Sequence, residues 1–356
     1  MSNRKLISFL RIFEKDSVIE SVITPIIGLI VGLLIVAIII LLQGVNPITA
    51  YQELIFGAIG TKINLFSTLL KFIPLSFTGL AVTLAYRAGV FNIGAEGQLY
   101  IGALVATWVA IKVNLPFYLP SLLALISGTI VGGFFAFIPA YLKVEKGINE
   151  VLTTILMNYV GINIMGFSVN SFLMEKGQTA PQSPLIERSA HLPIIAKLEG
   201  VHLHIGIVLV FVIAFLMHDI FWNTTWGFEI RSVSINIEAS KYGGINVKKV
   251  IMIVMFVSGA IASLAGSTEV LGVQHRLMEN FMIGYGYDGI TVALLGGLNP
   301  LGVLVAAFFL GALRNGAYSM QIATGIPISI IYVVQAFAIL SIISASALYK
   351  KFLAEN

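Results

Sequence analysis

Residues 86–103, YRAGVFNIGAEGQLYIGA, place an arginine, a glutamate, a glutamine and an asparagine among four glycines, in the middle of a very apolar chain. Asn92 and Gln98 can both donate and accept hydrogen bonds without the cost of burying a charge. Phe91 offers an aromatic face for stacking. Gly89, Gly94, Gly97 and Gly102 remove bulk, so helices there can approach closely or break. The two charges, Arg87 and Glu96, leave two readings open. They rest in a headgroup layer, where charge is cheap at the end of a span. Otherwise they are ionisable groups inside protein at membrane depth, where function is the default expectation. On the second reading Arg87 is the expected partner of Glu96.

Two further stretches have the same character. Residues 284–302, GYGYDGITVALLGGLNPLG, combine glycines with one carboxylate, Asp288, and end in Gly296, Gly297, Asn299 and Pro300. Gly/Pro-interrupted segments in matching halves of a membrane protein point to a transport path. Residues 146–167, KGINEVLTTILMNYVGINIMGF, put Asn149, Glu150, Thr153, Thr154, Asn158 and Asn163 on one segment. Glu150, Thr154 and Asn158 are spaced i, i+4, i+8 and share a helix face. That face turns toward protein or water. Substrate contact and inter-helix hydrogen bonding, about 0.6 kcal/mol per pair, both explain it.

Other chemistry is poorly supported. With no cysteine, thiol catalysis and Cys-based metal sites are excluded. His202 and His204 have two-ligand spacing but lack a third ligand, so no metal is expected. His218 and Asp219, beside Trp222, fit an interfacial anchor. No Ser/His/Asp arrangement stands in a credible context, so neither an enzyme nor a cofactor is expected. The phosphate-cradling pattern G-x-x-x-x-G-K-[ST] is missing, since the dipeptide Gly-Lys does not occur. Any ATP is therefore expected on another subunit.

The elements that hold these residues follow from composition. The chain is 58% hydrophobic and 11% charged, with a mean hydropathy of +0.95, against about 25% charged in soluble domains. A net charge of +4 gives no reason to expect nucleic acid. The expected fold is all-α, a polytopic transmembrane helical bundle in the lipid bilayer. Apolar runs place spans near 22–42, 64–85, 95–111, 120–142, 149–171, 205–222, 250–272, 286–297, 301–318 and 326–348. The run 286–297 is too short to cross alone: it extends backwards or forms a half-helix, so the count is nine or ten. With both termini inside, 13 Lys and Arg fall on inside loops and 6 outside, with Lys71 and Arg314 within spans. N-in, C-in therefore satisfies the positive-inside rule. Spans 2–5 and 7–10 are a possible internal repeat. The expected organisation is a cytoplasmic amphipathic segment 1–21, one transmembrane domain 22–348 and a cytoplasmic tail 349–356. It carries an outside loop 172–204 and a basic inside loop 223–249. In the latter, Glu238, Ala239, Ser240 and Tyr242 can form a short helical turn ended by Gly243 and Gly244.

RAGVFNIGAEGQLYIGA resembles the signature of permease subunits of bacterial ABC importers, in the branch for branched-chain amino acids, simple sugars and nucleosides. GINEVLTTILMNYV is similar to a segment of its nucleoside members, and GYGYDGITVALLGGLNPLG to their late-chain motif. EASKYGGINVKK resembles the cytoplasmic loop that docks on the ATPase, and the length resembles the longer of two nucleoside permeases. The resemblance implies a multi-pass protein of the bacterial cytoplasmic membrane that imports a small polar solute, a nucleoside, on ATP hydrolysed elsewhere. It implies a second permease, most simply in a heterodimer, a cytoplasmic ATP-binding subunit and an extracytoplasmic substrate-binding lipoprotein. Expected pathway residues are Phe91, Asn92, Glu96, Gln98, Asn149, Glu150, Asn158 and Asp288. Expected coupling residues are Glu238, Ala239, Ser240, Tyr242, Gly243 and Gly244. The alternatives are a permease for a simple sugar such as a pentose, an ion-coupled transporter using Glu96, Glu150 or Asp288, or a membrane protein with no substrate.

Overall fold

Long apolar runs with almost no charge can satisfy their backbone in lipid only as helices, and helices dominate here. The computed structural model describes residues 24–330, and 332, 333, 336, 337 and 340. The expected segment 1–21, the tail 349–356 and most of the expected span 326–348 lie outside the described residues. Among the described residues there are twelve α-helices and one two-stranded sheet. The helices are α1 (Thr24–Leu42), α2 (Pro47–Ile55), α3 (Lys62–Arg87), α4 (Ala95–Lys112), α5 (Leu119–Lys146) and α6 (Glu150–Asn170). After them come α7 (Gly206–Asn223), α8 (Thr225–Ile235), α9 (Ile237–Tyr242), α10 (Val247–Glu269), α11 (Tyr285–Leu295) and α12 (Pro300–Thr324). Six are long and apolar enough to cross a membrane: α3, α5, α6, α7, α10 with its π-turn extension to Gln274, and α12.

The described residues fall into two compact units, one with 24–61 and the described residues from 313 onward, the other 62–312. In the first, α2 starts on an Asn46 cap, whose Oδ1 accepts from Ile48 N at 2.9 Å, followed by Pro47 at the first helical position. Gly57 in the next turn lies against Ser319, and Asn315 Nδ2 donates to the Gly57 carbonyl at 2.9 Å.

In the second unit α10 packs against α3, α4 and α5, α4 packs against α5, α11 lies on α3, and α6 crosses α4. Small residues allow it. Gly102 and Gly132 both close on Ser263, and Gly266 rests on the Leu99 carbonyl, leaving no room for a Cβ. At the α4–α6 crossing a Cβ on Gly161 would stand 2.7 Å from the Gly97 carbonyl oxygen, so the two backbones touch.

The loop 172–204, expected outside, has structure of its own. Strands β1 (Ile194–Leu198) and β2 (Val201–His204) form a hairpin turned at Gly200, φ +79°. Residues 183–192 lie along the loop after α10: Ser183 N donates to Leu277 O at 2.8 Å and Ile186 N to His275 O at 2.8 Å. The imidazoles of His191 and His275 stack with centroids 3.6 Å apart and planes 8° apart. His204 is buried, its Nδ1 accepting from Gly206 N at 3.1 Å. Burial, and secondarily His275, pushes His204 down to about 4, so it is neutral at pH 7. Among the described residues no three His, Cys, Asp or Glu are placed to hold a metal.

Candidate functional site

The three polar stretches converge. Helix α3 ends where Gly89 turns left-handed, φ +71°, and Val90 N reaches back to the Ala85 carbonyl at 3.1 Å. The chain then enters α4 through Asn92, which is wholly buried. Asn92 and Gln98 pair their amides reciprocally: Asn92 Nδ2 donates to Gln98 Oε1 at 3.0 Å, and Gln98 Nε2 to Asn92 Oδ1 at 2.9 Å. Asn92 Nδ2 also donates to Ser258 Oγ at 2.8 Å, and Ser258 Oγ donates to the Ala81 carbonyl at 2.6 Å. Buried amides so fully satisfied fix a loop in one conformation.

Asn158 on α6 joins a second helix to the same loop. Its Oδ1 accepts from Gly97 N at 2.8 Å, and its Nδ2 donates to the Ile93 carbonyl at 2.8 Å and to Tyr287 Oη at 3.2 Å. Below it, Thr154 Oγ1 accepts from Ile93 N at 3.4 Å, and Glu150 pairs with Lys143 of α5. Glu150, Thr154 and Asn158 are all buried, as one shared face requires. Asn149 is instead an N-cap, its Oδ1 accepting from Val151 N at 2.8 Å.

Glu96 carries the main correction to the sequence reading. Arg87 is not its partner. The Glu96 carboxylate accepts from Gly284 N at 2.7 Å and from Gly286 N at 2.5 Å, closing the N-terminus of α11. Arg87 Nε donates to the Leu298 carbonyl at 2.8 Å, just beyond the other end of α11. A carboxylate at the N-terminus and a cation at the C-terminus each complement the helix dipole. The eleven residues of α11 span about 16 Å, roughly half a hydrocarbon core. Of the two options left open for residues 286–297, the half-helix is the one observed. Glu96 is 2% exposed, so it is enclosed by protein. Asp288 is buried in the first turn of α11.

Phe91, 48% exposed, stands edge-on to Tyr86 with centroids 4.9 Å apart. Tyr287 is the residue sequence reasoning missed: its hydroxyl is held by Asn158 while its ring stays partly exposed. Its place beside Asp288, inside a Gly-rich stretch, was the available signal. Glu269, within α10, was also passed over; its Oε1 accepts from Gln274 Nε2 at 3.1 Å.

The loop 223–249, expected inside, folds as α8 and α9. Asn236 Oδ1 caps α9 at Ala239 N, 3.0 Å away. Glu238 and Lys241 pair at 2.7 Å on its exposed side, while Ser240 is buried. Tyr242 is 92% exposed. Gly243 N closes on the Ala239 carbonyl at 2.9 Å, and Gly244 follows at φ +84°. The helical turn ended by glycines is thus the one read from the sequence.

Comparison with known proteins gives the family of the chain. The family described as the permease component of branched-chain amino acid transport systems matches residues 64–343. The guanosine ABC transporter permease protein NupP of Bacillus subtilis is 37% identical over 88% of this chain and 90% of its own length. The nucleoside ABC transporter permease protein NupB of Lactococcus lactis is 35% identical over 84% of each. The glucose ABC transporter permease protein TsgB13 of Haloferax volcanii is 33% identical over 86% of this chain and 83% of its own length. These relatives are transporter permeases and not enzymes. No solved structure matches the chain.

Proposed function

We propose that this chain, which belongs to the family of branched-chain amino acid transport system permease components, is the longer of two permeases in an ATP-driven nucleoside importer. It is a multi-pass protein of the inner membrane and an ABC transporter permease of the nucleoside and sugar branch. The observation that carries the finer reading is α11, a half-helix whose first turn presents Tyr287 beside the buried Asn158. Interrupted helices at mid-membrane are where transporters place their binding groups. A half-exposed aromatic ring with a fixed hydroxyl suits a planar base.

In this account Asn92, Gln98, Glu96 and Asn158 are the scaffold, and the pathway runs past Phe91, Tyr287 and Asp288. Glu150 and Asn149 set the inner end of α6. On the cytoplasmic side α9, with Glu238, Ala239 and the projecting Tyr242, presses on the ATP-binding subunit. Buried Ser240 and the turn at Gly243 and Gly244 hold that helix in shape. Substrate is delivered by an extracytoplasmic lipoprotein onto the face that includes 172–204, and a second permease closes the other side of the cavity.

The glucose relative keeps a sugar as the second reading. Substrate competition separates them. In cells dependent on this system, uptake of labelled guanosine is expected to fall at least tenfold with excess unlabelled nucleosides and to be unchanged by glucose or ribose. Competition by the sugars alone would transfer the assignment to the sugar reading.

A further inference from the structure

Where α7 ends, two cations share one indole. The guanidinium carbon of Arg231, on α8, lies 4.9 Å from the centroid of Trp222, and that of Arg87, at the end of α3, lies 5.4 Å from it. The two cations are thus within about one Debye length of each other, about 10 Å at 0.1 M ionic strength. Neither forms an ion pair among the described residues. Of the carboxylates close in sequence, Asp219 accepts from Asn223 Nδ2 at 2.6 Å, Glu238 pairs with Lys241, and Glu229, two positions before Arg231 on α8, makes no ion pair among the described residues. One terminal nitrogen of Arg231 is buried with no hydrogen-bond acceptor among the described residues. A buried cationic donor left without an acceptor costs its full desolvation, so the cluster lacks an anion.

We propose that Arg87 and Arg231, gathered on Trp222, bind the phosphate of an anionic lipid headgroup in the inner leaflet. The Nε of Arg87 is committed to Leu298 O, which fixes the plane of its guanidinium. Arginine forks match phosphate geometry in a way a lysine ammonium does not. The surroundings select a lipid as the bearer of that phosphate. Trp222 is 45% exposed and Phe228, also on α8, is 59% exposed, as aromatic side chains at a membrane–water boundary are. The cluster lies on the side the Lys and Arg distribution assigns to the cytoplasm, where basic pockets between helices take anionic headgroups.

The test uses the intact complex in nanodiscs of equimolar phosphatidylcholine and phosphatidylglycerol, with retained lipid identified by native mass spectrometry. The wild-type complex is expected to retain phosphatidylglycerol preferentially, and Arg231→Gln to lower that retention about fivefold, the loss of one basic contact. Arg231→Lys keeps the charge and is expected to retain an intermediate amount, which separates lost binding from a folding defect. Excess inorganic phosphate is expected to displace nothing. Equal retention by wild type and Arg231→Gln would overturn the proposal. Displacement by inorganic phosphate would assign the cluster to a soluble anion instead. Loss of the ATP-binding subunit from Arg231→Gln, with lipid retention unchanged, would assign it to an acidic protein partner.

Discussion

Alanine at Glu96 is expected to reduce nucleoside uptake more than tenfold while leaving the protein in the membrane. The substitution removes both acceptors at the head of α11 and leaves Gly284 N and Gly286 N facing protein with nothing to bond. Hydrogen bonds to a charged group contribute about 1.5–3 kcal/mol each. Losing two therefore unseats α11 by several kcal/mol, with the long helices intact. Glu96→Gln keeps the shape but not the charge, and its single amide oxygen can replace only part of the pair. It is expected to fall between wild type and Glu96→Ala. Uptake rates normalised to membrane abundance measure both. Wild-type uptake by Glu96→Ala at wild-type abundance would mean α11 needs no such anchor.

Gly286→Ala is expected to be at least as damaging, by a steric route. A Cβ at this position falls far inside contact with the backbone nitrogen and Cα of Glu96. No rotamer change relieves a backbone clash, so α4 and α11 must separate. Overpacking of this kind costs about 1–3 kcal/mol and occasionally more; the upper end is expected here. The matching control is Gly166→Ala on α6, where the nearest atom to the new Cβ is 3.5 Å away. That variant is expected to transport normally. Thermal stability of the purified complex, with uptake, checks the pair. Equal Tm values for Gly286→Ala and wild type would remove the α4–α11 contact from the account.

Hydropathy placed the long helices because lipid leaves a chain few options, but it stopped at charges. The expected span 120–142 is a helix to Lys146, since Lys143 finds Glu150 and the turn closes only at Gly147, φ +68°. Helix α2 escaped a search for 20-residue runs, although Asn46 and Pro47 carry an ordinary start signal. The hairpin 194–204 escaped likewise, marked only by short alternating strands around Gly200. At the site, residue type showed which stretches were polar and soft, and those stretches do meet. What pairs with what was not legible. Glu96 and its partners stand 188 and 190 positions apart, and the nearer cation in sequence, Arg87, made the wrong partner look natural. Spacing did not show that Asn92 and Gln98 spend their hydrogen bonds on each other and on Ser258, and Asn158 on backbone and Tyr287, which supports reading the three as a frame.

The most direct measurement of the central claim is uptake of labelled guanosine by membrane vesicles carrying the intact complex, with energy sources separated. Supplied with ATP, uptake is expected to persist when ionophores collapse the proton and sodium gradients. It is expected to stop when ATP is withdrawn and the gradients are left intact. Guanosine uptake that follows an ion gradient in the absence of ATP would contradict the account and make the buried carboxylates Glu96, Glu150 and Asp288 coupling sites of a secondary transporter.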